Sequence, residues 1–141
     1  MTGQPAATLR MVPMILVMGT IFCLSHQQGD SLYLPALPGI DKLAHLLAYG
    51  VLAAATLFAF STRWKSEKAG LTVLLTVSFC LFYGITDEFH QSFVPGRAPS
   101  VVDIVADFGG AGLVGFFWLR LKGRDEGRKD GVRGNCRGRI R

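Results

Sequence analysis

The sequence predicts an all-α integral membrane protein that forms a bundle of four transmembrane helices. Half of its 141 residues are apolar, and they concentrate in four blocks, at residues 11–25, 43–60, 71–86 and 101–119. Charged side chains occur in only one block, at Asp103 and Asp107. No block shows the polar stripe of a helix on a soluble core, and none alternates as a strand does. A soluble four-helix bundle is the alternative, but the chain has too little polar helix surface to cover it.

The first and third blocks are slightly shorter than the roughly 17–25 residues that cross a bilayer. We therefore expect the first helix to begin near Thr8 and the third to continue past Thr86, which draws Asp87 and Glu88 towards the membrane surface. Arg10 precedes the first apolar run as in a signal peptide, but no small-x-small cleavage site follows that run. The first block is predicted to be an uncleaved anchor.

The second helix is predicted to begin shortly after Pro38. Asp41 suits an N-cap or first-turn position, where its charge meets the positive end of the helix. Asp41, His45 and Tyr49 are spaced four apart and line one helical face, and Lys42 can lean towards His45. The structural alternatives are a capping role for Asp41, a packing role for His45 bonded to a carboxylate, and a hydrogen bond across the bundle for Tyr49.

A turn and a helix start are predicted between the third and fourth helices. The Pro-Gly pair at 95–96 predicts a turn that folds Arg97 back over the helix ends. Ser100 can cap the fourth helix with Asp103 in the capping-box position, which is the structural alternative to a functional role for Asp103. Asp107 lies about one turn deeper on the same face, where an ionised carboxylate needs a partner. The glycines that follow predict close helix packing and not a phosphate loop.

Basic residues are distributed unequally between the two ends of the predicted bundle. Of the 15 Lys and Arg residues, only Lys42 and Arg97 fall on the side that carries the acids. Since cytoplasmic loops carry the basic excess, both termini are predicted inside, and residues 26–42 and 87–100 face the periplasm or exterior. The net charge of +5 is therefore an orientation signal and does not indicate nucleic-acid binding.

Three regions follow from this topology. They are a cytoplasmic N-terminus at residues 1–10, the membrane domain at residues 11–119 and a basic cytoplasmic tail at residues 120–141. The tail is rich in Gly and Arg and too poor in apolar residues to fold alone, so it is predicted to be disordered along the anionic inner leaflet. RNA binding by its Arg-Gly pairs is the alternative. The three cysteines are far apart and predict no disulfide framework.

The predicted site at the outer end holds more acids than bases, with Asp41, Asp87, Glu88, Asp103 and Asp107 against Lys42 and Arg97. The excess predicts a bound cation, protonated carboxylates or acids in contact with water. A divalent cation could be ligated by His45, His90 and the carboxylates, although no HExxH or similar signature is present. The predicted ligand-binding residues are Asp41, Lys42, His45, Tyr49, Asp87, Glu88, Gln91, Arg97, Asp103 and Asp107.

Three motifs in this order resemble the VanZ-like membrane proteins. They are DKxxHxxxY at 41–49, DExxQxFxPGR at 87–97, and SxxDxxAD with its glycines at 100–110. The resemblance implies a small multi-helix protein of the bacterial inner membrane, and the family's namesake is associated with resistance to the glycopeptide teicoplanin. One departure is Asp107, which stands where many members have Asn. The basic tail also lies outside the family's core.

The first functional hypothesis is a non-catalytic cell-envelope protein. It would bind a lipid headgroup or a lipid-linked cell-wall precursor through Lys42, Gln91, Arg97 and the acids, and so alter antibiotic access. Its partners are then the bilayer and that ligand, with no nucleic acid. The sequence leaves the oligomeric state open.

Two further functional hypotheses stay open, an enzyme and a carrier. As an enzyme, the protein would act on a lipid-linked phosphate in the membrane. Glu88 or Asp103 would be the general base, His45 or His90 the acid/base partner and Arg97 the anion clamp, with Mg²⁺ held by the excess carboxylates. As a carrier, the protein would couple transport to protons or ions through Asp107, the acid that lies within a span.

Overall fold

The structure is a computed structural model that describes residues 7–27 and 39–138, and all the regular structure in those residues is helical. Four of the helices are long and apolar enough to cross a membrane, which confirms the predicted class. The first candidate span begins at Thr8 and the third ends at Gln91, so both extensions predicted from block length are present. The helices are α1 (Ala7–Ser25), α2 (Ile40–Ala59), α3 (Thr62–Glu67), α4 (Ala69–Gln91) and α5 (Val101–Gly138).

Large apolar side chains point away from the bundle. Phe82 and Val101, for example, are 69% and 76% exposed. The buried centre is small and includes Tyr49, Leu52 and Cys80. A surface of this kind is stable in lipid, where apolar side chains face hydrocarbon and helices associate through close packing. The chain is therefore embedded in a bilayer.

Helix α2 lies at the centre, in contact with α1, α4 and α5, and its closest neighbour is α5. A Cβ added to Gly110 would collide with the carbonyl oxygen of Leu46 and lie 2.9 Å from its carbonyl carbon and 3.1 Å from the nitrogen of Gly50. The two backbones thus touch without intervening side chains, as the glycines after Asp107 predict.

Helix α2 begins at Ile40, close to the expected start. Its N-cap is Gly39, with φ of 86° and no side-chain capping bond, so Asp41 occupies the first turn, which is one of the two positions expected for it. Pro38, placed by sequence just before this start, lies outside the described residues, as do residues 1–6 and 28–37. The short helix α3 is not anticipated by the sequence, and Ser61 caps it by accepting a hydrogen bond from the Trp64 amide at 3.1 Å.

Helix α5 continues well beyond its membrane-spanning part. Its candidate span ends at Asp125, whereas the helix runs to Gly138. The segment 120–138, expected from composition to be disordered, is therefore helical in the structure. The Lys and Arg residues of this segment favour a helix, whereas its five glycines oppose one. A helix also satisfies its backbone hydrogen bonds without a partner. Residues 139–141 lie outside the described part.

The end of the bundle away from the acids is basic. Lys122 on α5 donates to the carbonyl oxygens of Lys65 at 2.5 Å and Ser66 at 3.0 Å, which joins α5 to the short helix α3. Burial is the main cause that lowers the pKa of the Lys65 ammonium, and the positive charge of Arg10 adds to it. Several positively charged side chains therefore lie close together at this end, and some of them are partly buried.

Candidate functional site

Polar side chains gather at one end of the bundle, where α1 and α4 end and α2 and α5 begin. Among the described residues, four of the five acids at this end are buried, and Asp107, on α5, is fully buried. They converge because an up-and-down bundle brings these helix ends together. We use the name acidic cluster for the five acids together with the side chains beside them, Lys42, His45 and Tyr49; the acids are Asp41, Asp87, Glu88, Asp103 and Asp107.

Lys42 bridges two acids at the outer edge of the cluster. Its ammonium lies 2.5 Å from Asp41 Oδ2 and 3.0 Å from Asp103 Oδ1. The Asp41 and Lys42 side chains are 49% and 36% exposed, whereas that of Asp103 is 9% exposed. We call Asp41 and Lys42 the rim, because they are the part of the cluster that solvent or a headgroup can reach.

The start of α5 is capped differently from the predicted capping box. Ser100 Oγ accepts a hydrogen bond from the Val102 amide at 3.2 Å, as expected of an N-cap. The amide of Ser100 donates to Glu88 Oε2 at 2.7 Å. A capping box would assign that bond to Asp103, whose carboxylate faces Lys42 instead. Glu88 is thereby fixed by the cap of another helix.

His45 lies between two buried carboxylates. Its Nδ1 is 3.0 Å from Asp107 Oδ1, which is hydrogen-bonding distance. Its Nε2 is 3.9 Å from Glu88 Oε1, which is too far for a hydrogen bond. Tyr49 lies one turn below, and its ring is parallel to that of His45 within 8° at a centroid distance of 6.4 Å. The predicted helical face therefore forms, with His45 aimed at the deepest acid.

Asp87 links α4 to the end of α1. Its Oδ2 accepts hydrogen bonds from Ser25 Oγ at 2.8 Å and from Gln91 Nε2 at 3.1 Å. Gln91 Nε2 also lies 3.3 Å from Ser25 Oγ. Asp87 and Gln91 are four residues apart on α4 and therefore lie on one face of that helix. Ser25 is a contributor that the sequence does not reveal, because a serine at the end of an apolar block has no distinguishing pattern.

Arg97 folds back over the helix ends but does not reach the acids. Gly96 has φ of 75°, which suits the predicted turn. The guanidinium donates from Nη2 to the Leu24 carbonyl at 3.0 Å and from Nε to the Gln27 carbonyl at 3.2 Å. The Leu24 carbonyl lies in the last turn of α1 and the Gln27 carbonyl just beyond its end, a region where helix carbonyls have no intrahelical donor. Arg97 thus stabilises α1, and the geometry does not place it as an anion clamp at the acidic cluster.

His90 is also separated from the acidic cluster. Its Nε2 lies 3.2 Å from Nδ1 of His26, and its ring contacts that of Phe22 at a centroid distance of 4.8 Å. The three rings form a stack on the outer surface of α1 and α4. Of the two histidines considered for metal ligation, only His45 lies among the carboxylates.

Several buried oxygens in the cluster have no hydrogen-bond donor among the described residues. Glu88 Oε1, Asp107 Oδ2 and the Tyr49 hydroxyl belong to this group. Asp103 Oδ1 accepts no well-aligned hydrogen bond, although Lys42 is close enough for a charge interaction. Buried carboxylate oxygens without a partner are costly, so a cation, a proton or a donor from a ligand is needed there.

Gly84 on α4 makes room for the deepest acid. A Cβ on this residue would lie 2.6 Å from Asp107 Oδ2 and 3.3 Å from the Asp107 Cβ. The sequence does not predict this role, because it depends on which residue of another helix comes opposite.

One group within the cluster has the geometry of a metal site. His45, Asp87 and Glu88 each offer a ligand atom, and these atoms lie within 4.8 Å of one another. The chemistry open to this end of the bundle is therefore cation binding, acceptance of hydrogen bonds from a polar ligand, or proton exchange through His45.

A model of the family described as VanZ/LLP1 matches residues 8–122 of the chain. That range contains the whole acidic cluster and nearly all of the four candidate spans. No curated protein and no solved structure matches the chain significantly.

Proposed function

The chain belongs to the VanZ/LLP1 family of multi-pass membrane proteins, and we propose that it is a cell-envelope protein whose rim binds the headgroup of a lipid or of a lipid-linked cell-wall precursor. The observation that carries this proposal is the half-exposed pair Asp41 and Lys42 in front of buried carboxylates. A zwitterionic headgroup presents an ammonium to Asp41 and a phosphate to Lys42. The excess of acids over the single lysine favours a headgroup that carries a primary ammonium group.

The proposed orientation places the rim outside the cytoplasm of a bacterial cell. Among the described basic residues, only Lys42 and Arg97 lie at this end. Cytoplasmic segments of membrane proteins carry the basic excess, so this distribution supports an outward rim in the inner membrane. A headgroup or precursor held there is one that a glycopeptide antibiotic meets from outside. Occupancy of the rim would then change the access of a teicoplanin-type drug to its target.

Lipid selectivity tests the proposal directly. Purified protein is equilibrated with mixed vesicles of phosphatidylethanolamine, phosphatidylcholine and phosphatidylglycerol, and the bound lipids are identified by native mass spectrometry. We expect enrichment of phosphatidylethanolamine over phosphatidylcholine, whose headgroup has no N–H donor. Asp41→Asn and Lys42→Gln should remove the enrichment. Arg63→Gln is the matched control, since Arg63 forms an exposed ion pair with Glu67 at the opposite end. Equal lipid populations for the wild type and both rim variants would refute the proposal.

The link to antibiotics has a separate test. Cells that express the wild-type protein should lose susceptibility to teicoplanin, and cells that express Asp41→Asn at an equal level should not. An unchanged susceptibility with the wild type would remove the antibiotic part and leave the lipid result in place.

The second candidate is an enzyme that acts on a lipid-linked phosphate. The contact between His45 and Asp107 favours it, because an imidazole oriented by a carboxylate suits general acid/base catalysis. Purified protein with lipid phosphates and Mg²⁺ should then release inorganic phosphate, and Glu88→Gln should abolish the release. Inactivity of the folded wild type over a panel of lipid phosphates would exclude this candidate.

A further inference from the structure

We propose that the deep part of the acidic cluster binds one divalent transition-metal ion through His45, Glu88 and Asp87. This inference goes beyond headgroup binding and does not rest on it, because the metal ligands lie behind the rim and the rim residues Asp41 and Lys42 are not among them. Three features carry the proposal, namely the tautomer of His45, the free oxygen of Glu88 and the fixed position of Asp87.

Only one ring nitrogen of His45 is free to bind a metal ion. Nδ1 lies 3.0 Å from Asp107 Oδ1, so a proton on Nδ1 is donated to that carboxylate. The lone pair is then on Nε2, which faces Glu88. A histidine that binds a metal nearly always donates its other ring N–H to a carboxylate or carbonyl, which fixes the ring and raises its basicity. Asp107 supplies that contact and acts as a positioning residue.

Glu88 offers one carboxylate oxygen as a metal ligand. Its Oε2 is held by the Ser100 amide at 2.7 Å, which leaves Oε1 as the free oxygen. That oxygen is buried, has no hydrogen-bond donor among the described residues and lies 3.9 Å from His45 Nε2. Two ligands each about 2.1 Å from one metal ion are separated by roughly 3 to 4 Å. The spacing is thus too long for a hydrogen bond and fits two ligands of the same ion.

Asp87 offers a carboxylate that its neighbours already hold in place. Hydrogen bonds from Ser25 and Gln91 hold its Oδ2, so the carboxylate is fixed before any ion binds. One ligand atom from each of Asp87, Glu88 and His45 lies within 4.8 Å of the other two. Two carboxylates balance the charge of a divalent ion, and their burial keeps competing water away.

The donor set indicates the class of metal. One imidazole nitrogen with two carboxylates suits zinc, manganese or iron, whereas calcium and magnesium prefer oxygen ligands alone. Three protein ligands also leave a coordination position for water or for a group of the bound lipid. We therefore use Zn²⁺ as the probe. The alternative is a doubly protonated His45 that pairs with both carboxylates and leaves no room for a cation.

The experiment measures Zn²⁺ binding by the full chain in detergent, without added lipid. The protein is stripped with chelator, and the stoichiometry and Kd are obtained by isothermal titration calorimetry. We expect one ion per chain. Glu88→Gln and His45→Ala should weaken binding at least tenfold. His26→Ala/His90→Ala should not, since that histidine pair lies outside the ligand set.

Two substitutions of Asp107 test whether this residue positions His45 for metal binding or only contributes to the fold. Asp107→Asn keeps an amide oxygen that accepts the Nδ1–H of His45, so we expect Zn²⁺ binding to persist. Asp107→Leu removes that acceptor and should weaken binding by about 10–100-fold. Circular dichroism of each variant verifies the fold. X-ray absorption of the Zn²⁺-loaded wild type gives a readout that needs no variant, and it should show one imidazole and otherwise oxygen ligands.

Two results would overturn the proposal. The first is a folded wild-type protein that binds no Zn²⁺, which supports the doubly protonated His45. The second is Zn²⁺ binding that survives His45→Ala and disappears in His26→Ala/His90→Ala, which assigns the ion to the surface histidine pair. Because neither measurement includes lipid, a failure of headgroup selectivity at the rim is distinguishable from a failure of the metal site.

Discussion

The contact between α2 and α5 makes Gly110→Ala the most informative single substitution. The new methyl group would meet the backbone of Leu46 and Gly50, with the carbonyl carbon of Leu46 at 2.9 Å. Carbon atoms in favourable contact are about 3.5 Å apart or more. The helices must therefore separate by at least about 0.6 Å, and neither obstacle is a side chain that can rotate away.

The expected magnitude combines two opposing effects. Overpacking in a tight core costs about 1–3 kcal/mol. Replacing Gly by Ala inside a helix regains about 0.5–1 kcal/mol. The two effects together give a loss between about 0 and 2.5 kcal/mol in the free energy of unfolding. We expect Gly110→Ala to lie in the upper half of that range, because the obstacles are backbone atoms. Since Leu46 follows His45 directly, the same shift should lengthen the contact between His45 and Asp107.

The neighbouring glycine provides the matched control. A Cβ on Gly109 has nothing within 4 Å, so Gly109→Ala should leave stability unchanged or raise it slightly. Both variants are compared with the wild type by unfolding in mixed detergent micelles, followed by circular dichroism. Unfolding of Gly110→Ala at the same detergent composition as Gly109→Ala would refute the predicted clash between α2 and α5.

Three further substitutions test other parts of the structure. Arg97→Gln removes the donors to the end of α1, so it should lower stability by about 1 kcal/mol without changing Zn²⁺ affinity. Gly84→Ala should displace the Asp107 carboxylate and weaken Zn²⁺ binding by about tenfold in calorimetry, whereas Gly70→Ala on the same helix, with nothing within 4 Å, should not. Lys65→Gln should raise the melting temperature at neutral pH. Burial lowers the pKa of Lys65 in the folded state, so its charged form destabilises the fold below that pKa and ceases to do so above the pKa of the unfolded chain. The advantage of Lys65→Gln over the wild type should therefore vanish at strongly alkaline pH.

The membrane helices are predictable because a span is set by local composition and length. The start near Thr8 and the continuation past Thr86 follow from the thickness of the bilayer, and the structure ends that third span at Gln91. The short helix α3 is not predictable in this way, since its six residues are mostly polar and have no apolar period. The continuation of α5 through 120–138 is opposed by the many glycines of that segment, and only the structure shows it as helix.

The site is predictable in its location and less so in its pairings. Helical spacing places Asp41, His45 and Tyr49 on one face and Asp107 a turn below Asp103. Spacing does not determine which partner a long side chain selects, so Arg97, expected among the acids, lies on the carbonyls of α1. The metal-ligating role of these residues stays a prediction that the Zn²⁺ titration decides.

The packing beneath Asp107 has a consequence for exchange between compartments. Tyr49, Leu52, Cys80 and Ala111 fill the centre of the bundle below the acids, and each is at most 1% exposed. Within the described residues, apolar packing thus closes the bundle below the acids. In this conformation the acids connect only to the end of the bundle that carries the rim. A ligand held there would then respond to the composition of the compartment that this end faces.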